Sequence, residues 1–400
     1  MSETAPKRVR RRRVFYIPGY DPFPPRRYRE LYRSESARQA AISGYQIALS
    51  PAREGGSHGW QVQSTQDGNT VETEFEVLLW SDIVRGSMGA SIPATYGQLL
   101  RTAWIYTTSG ALFRLMRLRK GPIIAALYPV AALLLQAMIA MALGWAAAAL
   151  TCGLLGAIPA ALIGLAAAAL LLRWFRAMDR HVFAYYLMHD FAFSARWRGA
   201  YPPELEARMA LFRDTIARAL LEDWDEVLVV GHSSGAHLAV SILSDLLRAD
   251  GKPTGLSLLT LGQVVPMISF LPDAQRLRRD LAFLSAHKDI AWVDVTAPGD
   301  GCAFALCDPV KVSGVVPEDQ RWPLILSAAF TQTLAPETWA RLRWRFFRLH
   351  FQYLCAFEQP HDYDYFRITA GPETLGDRFA GRAPSKSRIE HPVNRHTSLA

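Results

Sequence analysis

The stretch Glu226-Val227-Leu228-Val229-Val230-Gly231-His232-Ser233-Ser234-Gly235-Ala236-His237-Leu238-Ala239 decides the fold class. Its first five residues form an apolar, β-branched run that reads as a buried strand. From Ala236 to Arg248 the apolar residues recur at helical spacing, so a helix follows. Between them lies G-x-S-x-G, with glycines two before and two after Ser233. Small residues at those positions let strand and helix approach at a sharp turn. The turn lifts the Ser233 hydroxyl above the sheet edge and aims the Ser234 N–H at a reacting carbonyl.

Outward from this unit, strands and helices alternate. Leu256–Leu261 is a strand followed by a helix at 273–286, and Ile290–Val295 is a strand followed by a loop. A last strand is expected near Arg345–Leu349. Upstream, Val14–Ile17 is a short strand, Pro24 to Ala41 an Arg-rich helix, Tyr45–Leu49 a second strand and Glu74–Trp80 a third. Residues 51–70 read as a loop, in the manner of a hairpin tip, and 95–120 as helix. Pro202-Pro203 opens a helix to Leu221. Such alternation predicts an α/β fold: a mostly parallel sheet flanked by helices.

One segment does not fit a soluble sheet. From Gly121 to Leu172 there is no Asp, Glu, Lys or Arg. A single crossing takes roughly 20 residues, so this length predicts a two-helix transmembrane hairpin. The turn is expected at Gly144-Trp145, with helices at 123–143 and 146–172. Arg114, Arg117, Arg119 and Lys120 precede the stretch, and Arg173, Arg176 and Arg180 follow it. Basic flanks at both ends predict that both face the cytoplasm, as in a bacterial-type inner membrane. A hairpin buried in a soluble fold or oligomer is the alternative. The aromatic, basic segment 173–200 reads either as an interfacial element or as a helix packed on the α/β domain.

The net charge is +8, and Lys7, Arg8, Arg10, Arg11, Arg12 and Arg13 crowd the N-terminus. Residues 1–13 are expected to be a disordered basic tail that meets anionic lipid headgroups. No nucleic-acid module accompanies the run, so nucleic acid is not expected as a partner. No apolar core follows it, so no cleavable signal peptide is read. The 4 cysteines, Cys152, Cys302, Cys307 and Cys355, show no metal-binding spacing and suit free thiols. Neither a metal nor a cofactor is expected. The organisation read is thus 1–13 tail, 14–120 and 201–370 as two parts of one α/β domain, 121–172 hairpin, 173–200 interfacial segment and 371–400 polar tail.

On Val229–Ala239 the chain resembles the α/β-hydrolase superfamily, of the serine esterase and lipase type. The resemblance covers about 14–90 and 200–370, with the hairpin as an insertion. It implies a Ser–acid–His triad in that chain order and an oxyanion hole shared with an early loop. Asp300, in the Pro298-Gly299-Asp300-Gly301 turn, is the favoured acid over Asp294 and Asp308. His350, in His350-Phe351-Gln352-Tyr353-Leu354, is favoured as the base, with His361 as the rival. Ser234 and Tyr20, the latter beside Gly19 in Pro18-Gly19-Tyr20, are the expected oxyanion donors, although the segment lacks a run of glycines. His189, His232 and His237 read as packing groups. The implied function is a membrane-anchored serine hydrolase acting on an ester or thioester of an acyl lipid. Acyl transfer through the same acyl-enzyme, or a non-catalytic protein keeping the fold, are the alternatives.

Overall fold

The computed structural model describes residues 8–52, 58–250 and 254–400. The fold is α/β, with one 8-stranded mixed sheet in the order β2-β3-β4-β1-β5-β6-β7-β8. Its strands are β1 (Arg11–Ile17), β2 (Gln46–Pro51), β3 (Gly59–Gln66), β4 (Asn69–Val77), β5 (Glu226–His232), β6 (Leu256–Leu261), β7 (Ala291–Thr296) and β8 (Leu324–Ser327). From β4 through β1 to β8 the pairings are parallel, while β2, β3 and β4 form an antiparallel meander at one edge.

Burial explains the difference. β5 and β6 are buried at every residue, because helices cover both faces of the centre, and they are correspondingly continuous apolar runs. Edge strand β2 alternates between half-buried and exposed. The main helices are α1 (Pro25–Ser43), α2 (Ile92–Thr108), α3 (Lys120–Leu155), α4 (Ala157–Ala177), α5 (Ala184–Arg196), α6 (Pro203–Leu220), α7 (Gly235–Asp250), α8 (Gln275–Ala286) and the short α9 (Phe346–His350).

Several expectations are corrected. The basic run is not a free tail, because β1 takes up Arg11–Arg13 at the middle of the sheet. Arg12 is fully buried against Glu226, and Arg13 pairs with Glu74 and Glu76 on its other side. Those guanidinium groups are therefore committed to the sheet and not to lipid; residues 1–7 lie outside the described residues. Residues 59–66 are a strand, not part of a loop. Polar Gln61, Gln63 and Thr65 disguise it, while Trp60, Val62 and Ser64 point inward. Asp67 and Gly68 close the β3–β4 hairpin with φ of 49° and 75°, the positive angles a two-residue Asp-Gly turn requires. The segment near Arg345–Leu349 is not a strand but leads into α9, and the last strand is instead β8. The 371–400 segment is a bound strap: Asp308 N–H donates to Ile389 O at 2.9 Å and Arg278 Nε to Ser398 O at 2.8 Å.

The apolar stretch forms two helices long and apolar enough to cross a membrane, α3 and α4. They turn at Gly156 (φ 80°), not at Gly144-Trp145. Gly144 stays helical because it is where the two helices touch. A Cβ there would lie 2.7 Å from Gly164 O, so small residues set the spacing. The outward side chains are bare: Leu150 is 80% exposed, Leu154 86% and Ile158 77%. In contrast, α5 buries Tyr185, Met188 and Phe191 against its neighbours, so the middle of segment 173–200 is a packed helix.

Candidate active site

The site grows from the end of β5. Ser233 has φ 56°, a left-handed conformation that non-glycine residues rarely adopt. The neighbouring glycines make this turn feasible. A Cβ at Gly231 would sit 2.7 Å from Gly235 O, and one at Gly235 would overlap Ile17 O at the end of β1. The loop after β1 passes directly over the serine: a Cβ at Gly19 would lie 2.8 Å from Ser233 Cβ and 3.2 Å from its Oγ. Trp80 Nε1 pins that loop by donating to Pro18 O at 2.9 Å, and Tyr186 OH donates to Tyr20 O at 2.5 Å. Neither the Tyr20 N–H nor the Ser234 N–H is hydrogen-bonded to another group among the described residues. Two amide donors beside Ser233 are thus unspent.

Asp300 lies in the turn beyond β7, as the order of the motifs leads one to expect. Its Oδ1 accepts the Cys302 N–H at 2.9 Å. Its Oδ2 is 2.7 Å from His350 Nδ1 and accepts the Tyr353 hydroxyl at 3.0 Å. Burial alone would raise the Asp300 pKa, but His350 and these donors outweigh it and hold the carboxyl below its ordinary value. His350 ends α9 and is 7% exposed. Its other nitrogen, Nε2, is buried without a hydrogen-bond partner among the described residues. That nitrogen belongs to the side chain that walls a cavity together with Ser233, Ser234, Gly19 and Tyr20.

His232 holds the arrangement from beneath. Its Nδ1 is 3.0 Å from Tyr16 OH and its Nε2 3.0 Å from the His350 carbonyl oxygen. Complete burial pushes its pKa down to about 3, so it is a neutral strut that fixes the His350 backbone. His237 meets Tyr201 OH and His189 meets Gln98 Oε1 in similar buried contacts. The rival candidates lie elsewhere. His361 is exposed and outside this cavity. Asp294 is inside β7 and accepts from Thr260 Oγ1 at 2.6 Å. Asp308 caps the short helix Pro309–Val312 through the Val310 and Lys311 N–H groups.

Asp300, Cys302 and His350 present ligand atoms within 4.8 Å of one another, which raises the question of a metal. The donor chemistry opposes one: both Asp300 oxygens and His350 Nδ1 are already hydrogen-bonded. Burial, with Asp300 and Asp190 nearby, pushes the Cys302 thiol well above its ordinary pKa.

Three site features escaped the sequence reading. Tyr353 was visible only as the tyrosine of His-x-x-Tyr. Asp190 was hidden among aromatic residues. Pro122 and Ala125, from the first turns of α3, also wall the Ser233 cavity. Gly121, just before them, packs on the turn that carries Asp300: a Cβ on it would lie 3.0 Å from Gly301 Cα. The cavity is only about 80 Å³, whereas ligand sites commonly run to about 300–1,000 Å³. A larger cavity, about 410 Å³, lies at the starts of β7 and β8 and holds none of these residues. Compared with family models, curated proteins and solved structures, the chain matches none.

Proposed function

We propose that the protein is a serine hydrolase of the α/β-hydrolase type that cleaves an acyl ester or thioester at a membrane surface. The observation that carries this reading is the buried, unpartnered His350 Nε2 in the cavity of Ser233, with its Nδ1 committed to Asp300. Ser233 Oγ attacks the acyl carbonyl while His350 Nε2 accepts its proton. Asp300 holds the imidazole in the tautomer that leaves Nε2 free and stabilises the imidazolium. The Ser234 and Tyr20 N–H groups receive the developing oxyanion, each such donor being worth about 3 kcal/mol in the transition state. His350 then protonates the leaving group, and water repeats the sequence on the acyl-enzyme.

The lipid part of the proposal rests on α3. A helix whose outer side chains are exposed and apolar contributes Pro122 and Ala125 to the cavity wall. An acyl chain leaving a bilayer along that helix would arrive beside the Ser233 cavity. In this reading α3 and α4 span the membrane, with both ends and the α/β domain on the cytoplasmic side.

A fluorophosphonate probe tests the chemistry. It should label the full-length protein in detergent and leave Ser233→Ala unlabelled. Equal labelling of the two proteins overturns the assignment.

A further inference from the structure

Asp190 on α5 stands at the junction of two cavities. It walls the Ser233 cavity and also a smaller adjoining one with Trp80, Tyr201 and His237. The two cavities share Tyr20, Asp190, Ser194, Ser234 and Ile268, so Asp190 lines both cavities alongside the residues that carry the two amide donors. No lysine or arginine lines either cavity. No described residue hydrogen-bonds to the Asp190 carboxyl. The titratable groups close enough to feel its charge are His350, Tyr20, Tyr106, Tyr186 and Cys302. The other acids nearby are satisfied: Asp300 as above, and Asp21 by the Tyr28 hydroxyl at 2.6 Å and the Phe23 N–H at 2.9 Å.

Asp190 is half-buried, and its carboxyl, without a protein partner among the described residues, is open to a group that enters the cavity. Burial raises its pKa to about 7 against the pull of His350, so near neutrality it exchanges between donor and acceptor forms. Either form suits a hydroxyl, which donates and accepts. An ammonium group is the poorer match, because His350 must itself become cationic during acyl transfer and a second cation in the cavity would oppose that charge.

We propose that Asp190 binds a free hydroxyl of the substrate, and that the substrate is therefore a partial ester of a polyol, with an acyl chain on one oxygen and an unesterified hydroxyl close by. The proposal rests on the hydrolase reading of the same site. Asp190 confers selectivity, and the acyl transfer steps belong to Ser233 and His350.

The test uses the full chain in detergent micelles and three esters of one acyl chain: the glycerol monoester, the methyl ester and the choline ester. In the wild type, kcat/KM for the glycerol monoester should exceed that for the methyl ester by about tenfold or more. Asp190→Leu should bring that ratio close to one, and Asp190→Asn, which still hydrogen-bonds, should recover most of it. If Asp190→Leu loses its cooperative melting transition, Asp190→Ala carries the same comparison. A wild-type ratio near one, a ratio unchanged by losing the carboxyl, or a preference for the choline ester overturns the proposal. Fluorophosphonate labelling separates the two levels. A labelled wild type with no hydroxyl preference defeats only the role of Asp190, and an unlabelled wild type defeats the hydrolase reading beneath it.

Discussion

The two ends of the central strands treat polar groups in opposite ways. At the amino end, Arg12 and Glu226 are both fully buried and matched to each other and to their neighbours. Arg12 Nε meets Glu226 Oε2 at 2.7 Å, and its other nitrogens donate to Gly371 O and Glu373 O. Glu226 Oε1 accepts from Ser257 Oγ and from the Leu375 N–H, both at 2.7 Å. At the carboxyl end of the same strands, His350 Nε2 is buried without a partner among the described residues, the Ser234 and Tyr20 N–H groups are unspent there, and the half-buried Asp190 carboxyl has no hydrogen-bond partner. Burying unmatched polar groups is costly, and around Arg12 and Glu226 the chain matches them, although Gln66 Oε1 nearby is buried without a partner. Under the proposed hydrolase reading, a substrate would supply the missing partners at the carboxyl end.

The sharpest way to break this contrast is to remove a matched partner within the unmatched end. Asp300→Asn keeps the shape but lets His350 adopt the wrong tautomer, and kcat of an activated ester should fall by about 10⁴. A loss of less than tenfold in steady-state assays would show that Asp300 does not orient the base. At the amino end the loss should appear in stability. Arg12→Met strands Glu226 in the core and should cost about 3–5 kcal/mol in denaturant unfolding, with fluorophosphonate labelling of the surviving folded protein retained. A neutral result would mean that the buried pair is not the clamp between sheet and C-terminal strap.

Asp294 lies between these extremes and gives the smallest effect. One of its oxygens accepts from Thr260, and the other is buried without a partner among the described residues. Burial, with Asp308 nearby, raises its pKa from 3.8 to about 8. Between those values the native state keeps a proton that the unfolded chain has released. Stability attributable to this group therefore falls as pH rises through that window, by at most about 1.4 kcal/mol per pH unit, and levels off above it. Asp294→Asn should remove the slope. Its melting temperature should gain on the wild type between pH 5.5 and 7.5, by an amount equivalent to about 2–3 kcal/mol. A constant difference across that range would mean that Asp294 is ionised in the fold.

The parts of the molecule legible from sequence share one property: their signal is local. The elbow, the Pro-Gly loop at 18–19 and the Pro-Gly-Asp-Gly turn at 298–301 are each set by glycine, proline and apolar runs within a few residues. The errors arose where partners are distant. Arg12 and Arg13 read as part of a disordered basic tail because the acids that pair with them, Glu226, Glu74 and Glu76, are far along the chain. The hairpin turn was misplaced at Gly144 because a helix-contact glycine and a turn glycine look alike until Gly164 is found opposite. Strand β3 was hidden by its polar outer face, although the Asp67-Gly68 turn beside it was a readable sign.

By itself, the sequence determined that a strand–serine–helix turn exists, that an uncharged stretch of membrane-crossing length interrupts the α/β pattern, and which aspartate and histidine were the leading partners. These follow from backbone sterics and hydrophobic periodicity, which act over a few residues. Tertiary structure decided that His350 and not His361 meets Asp300, that the first apolar helix walls the Ser233 cavity, and that Asp190 faces into it unpaired. Those outcomes depend on which side chains the sheet order brings together across hundreds of residues, and burial there assigns each polar group either a partner or a vacancy.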